Sequence, residues 1–300
     1  MAAYLFVHFT SDTEEREAIW FSLSRDGLHW EDLGDDPFLT SHSGTRGIRD
    51  PFILYDKALK KYFILATDLK TGREGDWWAY SHRGSRSILI WESDDLIHWS
   101  EEKLVTLGIE GAGCAWAPEA VYCEERGEWL VFFASCVDDK QRIYAAFTKD
   151  FRTFGETFLY SDNEKDIIDT SIVRDGGYYY RFSKDEVSKT ITVQRAKELL
   201  SHDFETLHCA ALADFAGLEG PEIFRLEDTG KWCLIVDRFM GNHGYLPLVA
   251  NDLAAADFRV LDESEFDFGT RKKRHGGVIR ISDAEYKRVK EYFTDDDTKC

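Results

Sequence analysis

Ser24-Arg-Asp26-Gly-Leu-His-Trp30, Ser93-Asp-Asp95-Leu-Ile-His-Trp99 and Thr148-Lys-Asp150-Phe-Arg-Thr-Phe154 are three copies of one frame: a hydroxyl residue, an Asp two places on, and an aromatic four places after that. A weaker copy, Ala250-Asn-Asp252-Leu, has its aromatic, Phe258, two residues late. A further position falls near Ala196 to Phe204, half-way between Asp150 and Asp252. Recurrence over spacings of this size marks an array or a propeller.

Each frame follows runs of β-branched and aromatic residues bounded by turn residues. Phe52-Ile-Leu-Tyr55, Tyr62-Phe-Ile-Leu-Ala66 and Ile88-Leu-Ile-Trp91 precede the second copy; Trp129-Leu-Val-Phe-Phe133 and Ile143-Tyr-Ala-Ala-Phe147 precede the third. Such runs read as strands, and strand, strand, strand, Asp turn, aromatic is one four-stranded blade. Five inner strands begin near Arg49, Trp116, Ile167, Leu218 and Arg274. The last starts too near the C-terminus to complete a blade alone. Tyr4–Phe9 and Ala18–Leu23 at the N-terminus supply the missing strands, which removes the free edge of an open array. The expectation is all-β: a single five-bladed β-propeller domain spanning 1–300, closed by N- and C-terminal strands sharing the last blade. Helical period is confined to Ser282–Phe293, where Ser282 and Glu285 form a capping box and predict a short C-terminal helix. Residues 294–300 read as a frayed tail.

The chain carries 56 acidic and 37 basic side chains, a net charge of −19. That balance argues against nucleic acid, whose phosphates need a basic face, and against an anionic membrane surface. With 43 % hydrophobic residues and 9 Trp there is ample material for a core. No run approaches the 18 or so apolar residues of a membrane helix. The N-terminus lacks a basic segment ahead of an apolar one, so no signal peptide is read and a cytoplasmic location is expected. The cysteines at 114, 123, 136, 209, 233 and 300 form no C-x-x-C pair and read as reduced thiols, most of them in the core.

Inner strands of a propeller line its axis, so residues at their starts converge from distant parts of the chain. Those positions hold Asp50, Glu119, Asp169, Glu219 and His275, with Pro51, Pro118 and Pro221 each within two residues of one of them. Singly, each has a plain structural reading: Asp50 opens an Asp-Pro turn, Asp169 caps a hairpin, Glu219 sits in a Gly-Pro loop, and His275 adds polarity beside the basic Arg271–Arg274 run. Together they gather carboxylates on a narrow axis, which costs energy through repulsion and desolvation. A purely structural protein has no reason to build that.

The set Arg49-Asp50-Pro51, Trp116-Ala-Pro-Glu119, Ile168-Asp169-Thr170, Glu219-Gly220-Pro221 and Arg274-His275-Gly276 resembles glycoside hydrolase family 43. The resemblance covers essentially the whole chain. It implies a five-bladed propeller that hydrolyses arabinofuranosides, xylosides and related glycosides with inversion. It further implies Asp50 as general base, Glu219 as general acid and Asp169 as the carboxylate that tunes and orients the acid. No cofactor is required for the chemistry. The resemblance implies a possible Ca²⁺ or other hydrated cation on the axis near His275, with water supplying most ligands. One departure is Thr170, where many members have Pro after the Asp of the third blade.

Inversion requires one carboxylic acid and one carboxylate roughly 6.5–9.5 Å apart, with water between the base and the sugar. Asp50 and Glu219, in blades one and four, suit that gap, and an ionised Asp169 is expected to raise the Glu219 pKa by like-charge repulsion. For the sugar, Trp116 is the leading wall candidate, joined by Phe52, Trp77 and Trp78. The Trp77-Trp78 pair lies in a polar insertion, Lys70–Arg86, which reads as a lid or subsite wall, or as two rings packed under their own loop. Arg181 and Arg238 are candidates to reach the pocket, and Glu119 to contact sugar hydroxyls or to neutralise Arg49. Trp30 and Trp99 belong to the repeat and are expected between blades. No H-E-x-x-H spacing exists, so no catalytic zinc is read. The expected substrate is a small oligosaccharide attacked at its non-reducing end. α-L-Arabinofuranosidase is the preferred activity and β-D-xylosidase, alone or alongside it, the alternative. A non-catalytic carbohydrate-binding propeller and a retaining fructan hydrolase are the other readings weighed.

Overall fold

A computed structural model describes residues 2–10, 17–72, 75–213 and 215–296. Five four-stranded antiparallel sheets stand around one axis. Their inner strands are Ile48–Asp56, Trp116–Cys123, Ile167–Asp175, Glu219–Arg225 and Gly276–Ser282, each starting within two residues of its expected place. The first four blades are continuous in sequence. The fifth pairs Gly276–Ser282 with the N-terminal strand Ala2–His8, then Trp20–Ser24 and Trp30–Asp32, so the termini close the ring within one sheet.

The repeated frame is a self-capping turn between the third and fourth strands of a blade. Asp26 Oδ1 accepts the N–H groups of Leu28 and His29, both at 2.8 Å. Asp95 does the same for Ile97 and His98, and Asp150 for Arg152 and Thr153. The hydroxyls of Ser24, Ser93 and Thr148 accept from the N–H three residues on. Asp and Ser/Thr favour such turns because their short side chains satisfy backbone donors locally. The aromatic that follows enters the core: Trp30 is buried with residues of blades three, four and five, and Trp99 packs between blades five and one. The apolar clusters lie between adjacent blades, as a ring of stacked sheets requires.

The C-terminal helix, Asp283–Asp296, is capped reciprocally: Ser282 Oγ accepts Glu285 N–H at 3.2 Å and Glu285 Oε2 accepts Ser282 N–H at 2.7 Å. Residues 294–296 therefore belong to the helix, a correction to the expected tail. The rest of that tail, 297–300, lies outside the described residues. Two short helices were not foreseen, Trp77–Arg83 and Ala210–Ala213; neither is long enough to show helical period. Cys114, Cys123, Cys136, Cys209 and Cys233 are buried free thiols. Among the described residues no helix is long and apolar enough to cross a membrane.

What positions the site is an irregularity repeated in four inner strands. The ladder shifts register between Arg49 and Phe52, Trp116 and Glu119, Ile168 and Thr170, and Glu219 and Glu222. Inside each shift one residue is left-handed: Asp50 (φ 47°), Ala117 (φ 46°), Asp169 (φ 46°) and Gly220 (φ 51°). A β-bulge of this kind re-aims one side chain and releases the next residue from the ladder, so Pro51, Pro118 and Pro221 cost no hydrogen bond there.

Candidate active site

The bulges place Asp50 and Asp169 on the axis, with Ala117 and Gly220 as the small residues of the other two blades. His275, entering the fifth inner strand, fills the space these leave. Its ring lies so close over Gly220 that a Cβ there would stand 2.6 Å from Cγ. His275 Nδ1 is 3.5 Å from Asp50 Oδ1 and 3.9 Å from Asp169 Oδ1. Burial opposes a charge on the imidazole, but Asp169 and Asp50 outweigh it and push its pKa up to about 9. Burial would equally raise Asp50. The His275 ring, Arg49 and the Thr67 hydroxyl, which donates to Oδ2 at 2.9 Å, hold it below the usual carboxylate range. Thr67 Oγ1 also accepts Ala117 N–H at 2.8 Å and so ties blades one and two together.

Glu219 sits one residue before its bulge, between two cations. Lys184 Nζ is 3.0 Å from Oε2 and Arg274 Nη2 is 2.6 Å from Oε1. Arg274 also donates to Asp237 Oδ2 at 2.7 Å. Burial would raise Glu219, but Lys184 and Arg274 outweigh it and hold it low. The expected upward shift driven by Asp169 is therefore corrected. It is Asp169 that is raised, chiefly by its own burial, although His275 and Lys184 pull it down. Asp50, Asp169 and Glu219 line one cavity of about 460 Å³, walled by Arg49, Trp116 and Phe239 among others.

Three carboxylates in one cavity and a buried imidazolium beside them suit hydrolysis of an acetal. A model of the family described as "probable glycosyl hydrolase domain", related to glycoside hydrolase family 43, matches residues 1–287. The chain belongs to this family 43-related group. A curated α-L-arabinofuranosidase of Bifidobacterium longum is 29 % identical over 290 residues, covering 79 % of this chain and 27 % of that protein. The chain thus spans about a quarter of the length of that relative. Among solved structures, the catalytic domain of a Coprinopsis cinerea family 62 α-L-arabinofuranosidase is similar with a TM-score of 0.59 at 16 % identity, covering 80 % of this chain and 76 % of that one. An exo-β-1,3-galactanase from Phanerochaete chrysosporium matches with a TM-score of 0.54 at 17 % identity, covering 71 % and 49 %. At such identities the structures speak for the fold.

In this family 43-related chain Glu119 is not the counterpart of Asp50. The bulge residue of blade two is Ala117, and Glu119 lies two places further on, level with Ser171 and Glu222. Burial raises Glu119 well above its ordinary pKa, with Glu222 adding to the shift, and burial pushes Glu222 up to about 8. Glu222 Oε1 accepts Val278 N–H at 2.8 Å. Both glutamates lie beneath the cavity rather than in its lining, so Glu119 does not reach a sugar there. The carboxylate paired with Arg49 is Glu17, at 3.1 Å.

Trp116 lines the cavity and meets the edge of Trp77, ring centroids 6.2 Å apart. Trp77 starts the insertion helix, capped by Asp76, and is 49 % exposed at the cavity mouth. Trp78, 53 % exposed, stacks on His82 and lines an adjoining depression of about 300 Å³ that shares Trp77, Trp116 and Glu186 with the cavity. The insertion is thus a wall, and the two rings are not packed away beneath it. Phe52 is not in the cavity; it packs against the apolar cluster between blades one and two, because the ladder is restored by that point of the strand. Arg181 is buried, held by Gln194 Oε1 at 2.8 and 3.1 Å and stacked on Phe204. Arg238 bonds Glu263 and the Gly244 carbonyl at a separate surface depression. Neither arginine reaches the site.

Sequence reasoning missed Lys184, Arg274, Glu186 and Phe239 as site residues. Arg274 stood in a motif already singled out, and Lys184 stood two residues after the aromatic-rich run Tyr178–Phe182. At the axial position expected for a cation, the His275 nitrogen nearest the carboxylates is not offered as a ligand. His275 turns Nδ1 to two carboxylates that hold it protonated. Among the described residues no three His, Cys, Asp or Glu side chains are grouped to hold a metal ion.

Proposed function

We propose that the chain is an inverting, exo-acting glycoside hydrolase with Asp50 as general base and Glu219 as general acid. The observation that carries this reading is the pairing, in one cavity, of an Asp50 held ionised by His275, Arg49 and Thr67 with a second carboxylate from a different blade. A terminal sugar seats against Trp116. Asp50 takes a proton from a water that attacks the anomeric carbon, while Glu219 gives a proton to the departing oxygen. The bond to the leaving group breaks as the bond to water forms, and the configuration inverts. His275 keeps Asp50 ionised until that step, and Asp169 anchors the peptide after Glu219. The preferred substrate is an α-L-arabinofuranoside on a small oligosaccharide, supported by the Bifidobacterium longum relative.

The test is hydrolysis of 4-nitrophenyl α-L-arabinofuranoside, β-D-xylopyranoside and β-D-galactopyranoside, and of an arabinofuranosyl disaccharide, by wild type, Asp50→Asn and Glu219→Gln. The arabinofuranosides should turn over fastest. Asp50→Asn should lower kcat on all substrates by about 10²–10⁴-fold. Glu219→Gln should cost less on the nitrophenyl glycoside, whose leaving group needs little protonation, than on the disaccharide. Faster xyloside turnover would favour the β-D-xylosidase alternative. Full activity in Glu219→Gln on the disaccharide contradicts the acid assignment.

A further inference from the structure

One ammonium is shared by two carboxylates at the cavity wall. Lys184 Nζ lies 3.0 Å from Glu219 Oε2 and 2.9 Å from Glu186 Oε2, with its side chain 4 % exposed. The Phe239 ring stands 4.4 Å from Nζ on the cavity side. Glu219 and Glu186 both line the cavity, so an occupant touches each end of this bridge. Lys189 also pairs with Glu186.

An ionised Glu219 cannot protonate a leaving oxygen. The groups that set its state come from every strand around it. Lys184 comes from Tyr178–Asp185, Arg274 and His275 from the entry to Gly276–Ser282, Asp169 from Ile167–Asp175, Asp237 from Trp232–Asp237 and Asp50 from Ile48–Asp56. Of the two cations in contact with Glu219, Arg274 is braced by Asp237, which is 1 % exposed and away from the cavity lining. Lys184 has its second partner, Glu186, in the wall where a ligand arrives. A lysine is a flexible point charge and changes partner with little rearrangement.

We propose that Lys184 is a positioning residue that passes from Glu219 to Glu186 when the sugar enters, releasing Glu219 to take up the proton it delivers. This rests on the reading of Glu219 as the acid. Solvent supplies one proton on binding. Glu219 transfers it to the leaving oxygen as the glycosidic bond breaks, becomes a carboxylate again and recovers Lys184. Asp50 returns to solvent the proton taken from the attacking water. In the empty site the same ammonium keeps the buried acid charged and paired.

Two readouts test this. The first needs no turnover: carboxyl ¹³C NMR of glutamate-labelled, ligand-free protein, with Glu219 assigned by its loss in Glu219→Gln. Its titration should lie below the ordinary glutamate range in wild type and rise by at least about one pH unit in Lys184→Met, roughly a tenfold change in the equilibrium. An unmoved titration overturns the proposal and leaves the hydrolase reading intact. The second compares pH profiles of kcat, which report the complex, with those of kcat/KM, which report the free enzyme. On an arabinofuranosyl disaccharide the basic limb of wild type should lie at higher pH in kcat than in kcat/KM. Glu186→Gln removes the alternative partner and should close that gap, lowering kcat at pH 7 about tenfold with little change in KM. A gap that persists in Glu186→Gln overturns the proposal, as does a Lys184→Met that loses thermal stability while both limbs stay put. Failure of wild type to hydrolyse any glycoside, with the NMR result as expected, removes the acid role and the swap with it.

Discussion

Asp169 Oδ2 accepts the backbone N–H of Gly220 at 3.1 Å, so the carboxylate of blade three holds the peptide directly after Glu219 of blade four. Asp169 thus acts on Glu219 through the backbone as well as through charge, and substitution separates the two. Asp169→Asn keeps an acceptor for that N–H, whereas Asp169→Ala leaves it buried and unpaired, at a cost of about 1–3 kcal/mol. Denaturant melts should show the loss in the alanine variant and a smaller one in the asparagine variant, while both lose kcat. Equal stability loss in the two would show that the hydrogen bond contributes nothing.

Gly220 is required twice over, by its φ of 51° and by the His275 ring 2.6 Å from any Cβ built there. Gly220→Ala should therefore lower stability by about 1–3 kcal/mol through backbone strain alone and displace His275 from Asp50. The acidic limb of kcat/KM, set by Asp50, should move to higher pH as the imidazolium withdraws. A variant with wild-type melting and an unmoved limb would contradict the packing described.

The buried Glu222 gives a stability signature with a definite sign. Its pKa is about 8 in the folded chain against an ordinary 4.5, so between those values the folded state keeps a proton that the unfolded state releases. Stability must fall as pH rises through that window, by up to about 1.4 kcal/mol per pH unit for one proton. Glu222→Gln removes this slope and also relieves Glu119. Its stability relative to wild type should rise steadily from pH 5 to pH 8 in urea melts. Parallel curves over that range would mean that Glu222 is not the group that holds the proton.

Trp78 faces the depression beside the cavity, and so should serve the leaving group. Trp78→Ala should raise KM for an arabinofuranosyl oligosaccharide about tenfold, equivalent to roughly 1.4 kcal/mol of lost contact, with kcat little changed. The nitrophenyl arabinofuranoside, which lacks the further sugars, should be affected less. An equal effect on both would move Trp78 to the terminal-sugar side.

The propeller was legible because the Asp turns cap their own backbone: every contact that makes the Asp26, Asp95 and Asp150 frames is local, and local chemistry shows in sequence. The inner strands and Asp50, Asp169, Glu219, His275 and Trp116 followed from them. Glu119 was misplaced because Trp116-Ala-Pro-Glu119 does not say which residue the bulge turns left-handed. Ala117 takes that role in blade two, while Asp50 and Asp169 take it in blades one and three. The charge state of Glu219 was misjudged for a different reason. Lys184 lies 35 residues before it and Arg274 lies 55 after it, and two contacts of that range outweigh the nearby carboxylate that was legible. Arg181 lies within Tyr178–Asp185 and Arg238 just past Trp232–Asp237, but they face Gln194 and Glu263, and nothing in an alternating run tells which neighbour a long side chain will meet.

In the proposed reaction Asp50 activates water against a sugar while Glu219 protonates the opposite side. The most direct measurement is ¹H NMR of the first sugar anomer released from 4-nitrophenyl α-L-arabinofuranoside, recorded before mutarotation. Wild type should release β-L-arabinofuranose, the inverted product. Release of the α anomer first would require a covalent intermediate on one of these carboxylates and would contradict the assignment of Asp50 as a base.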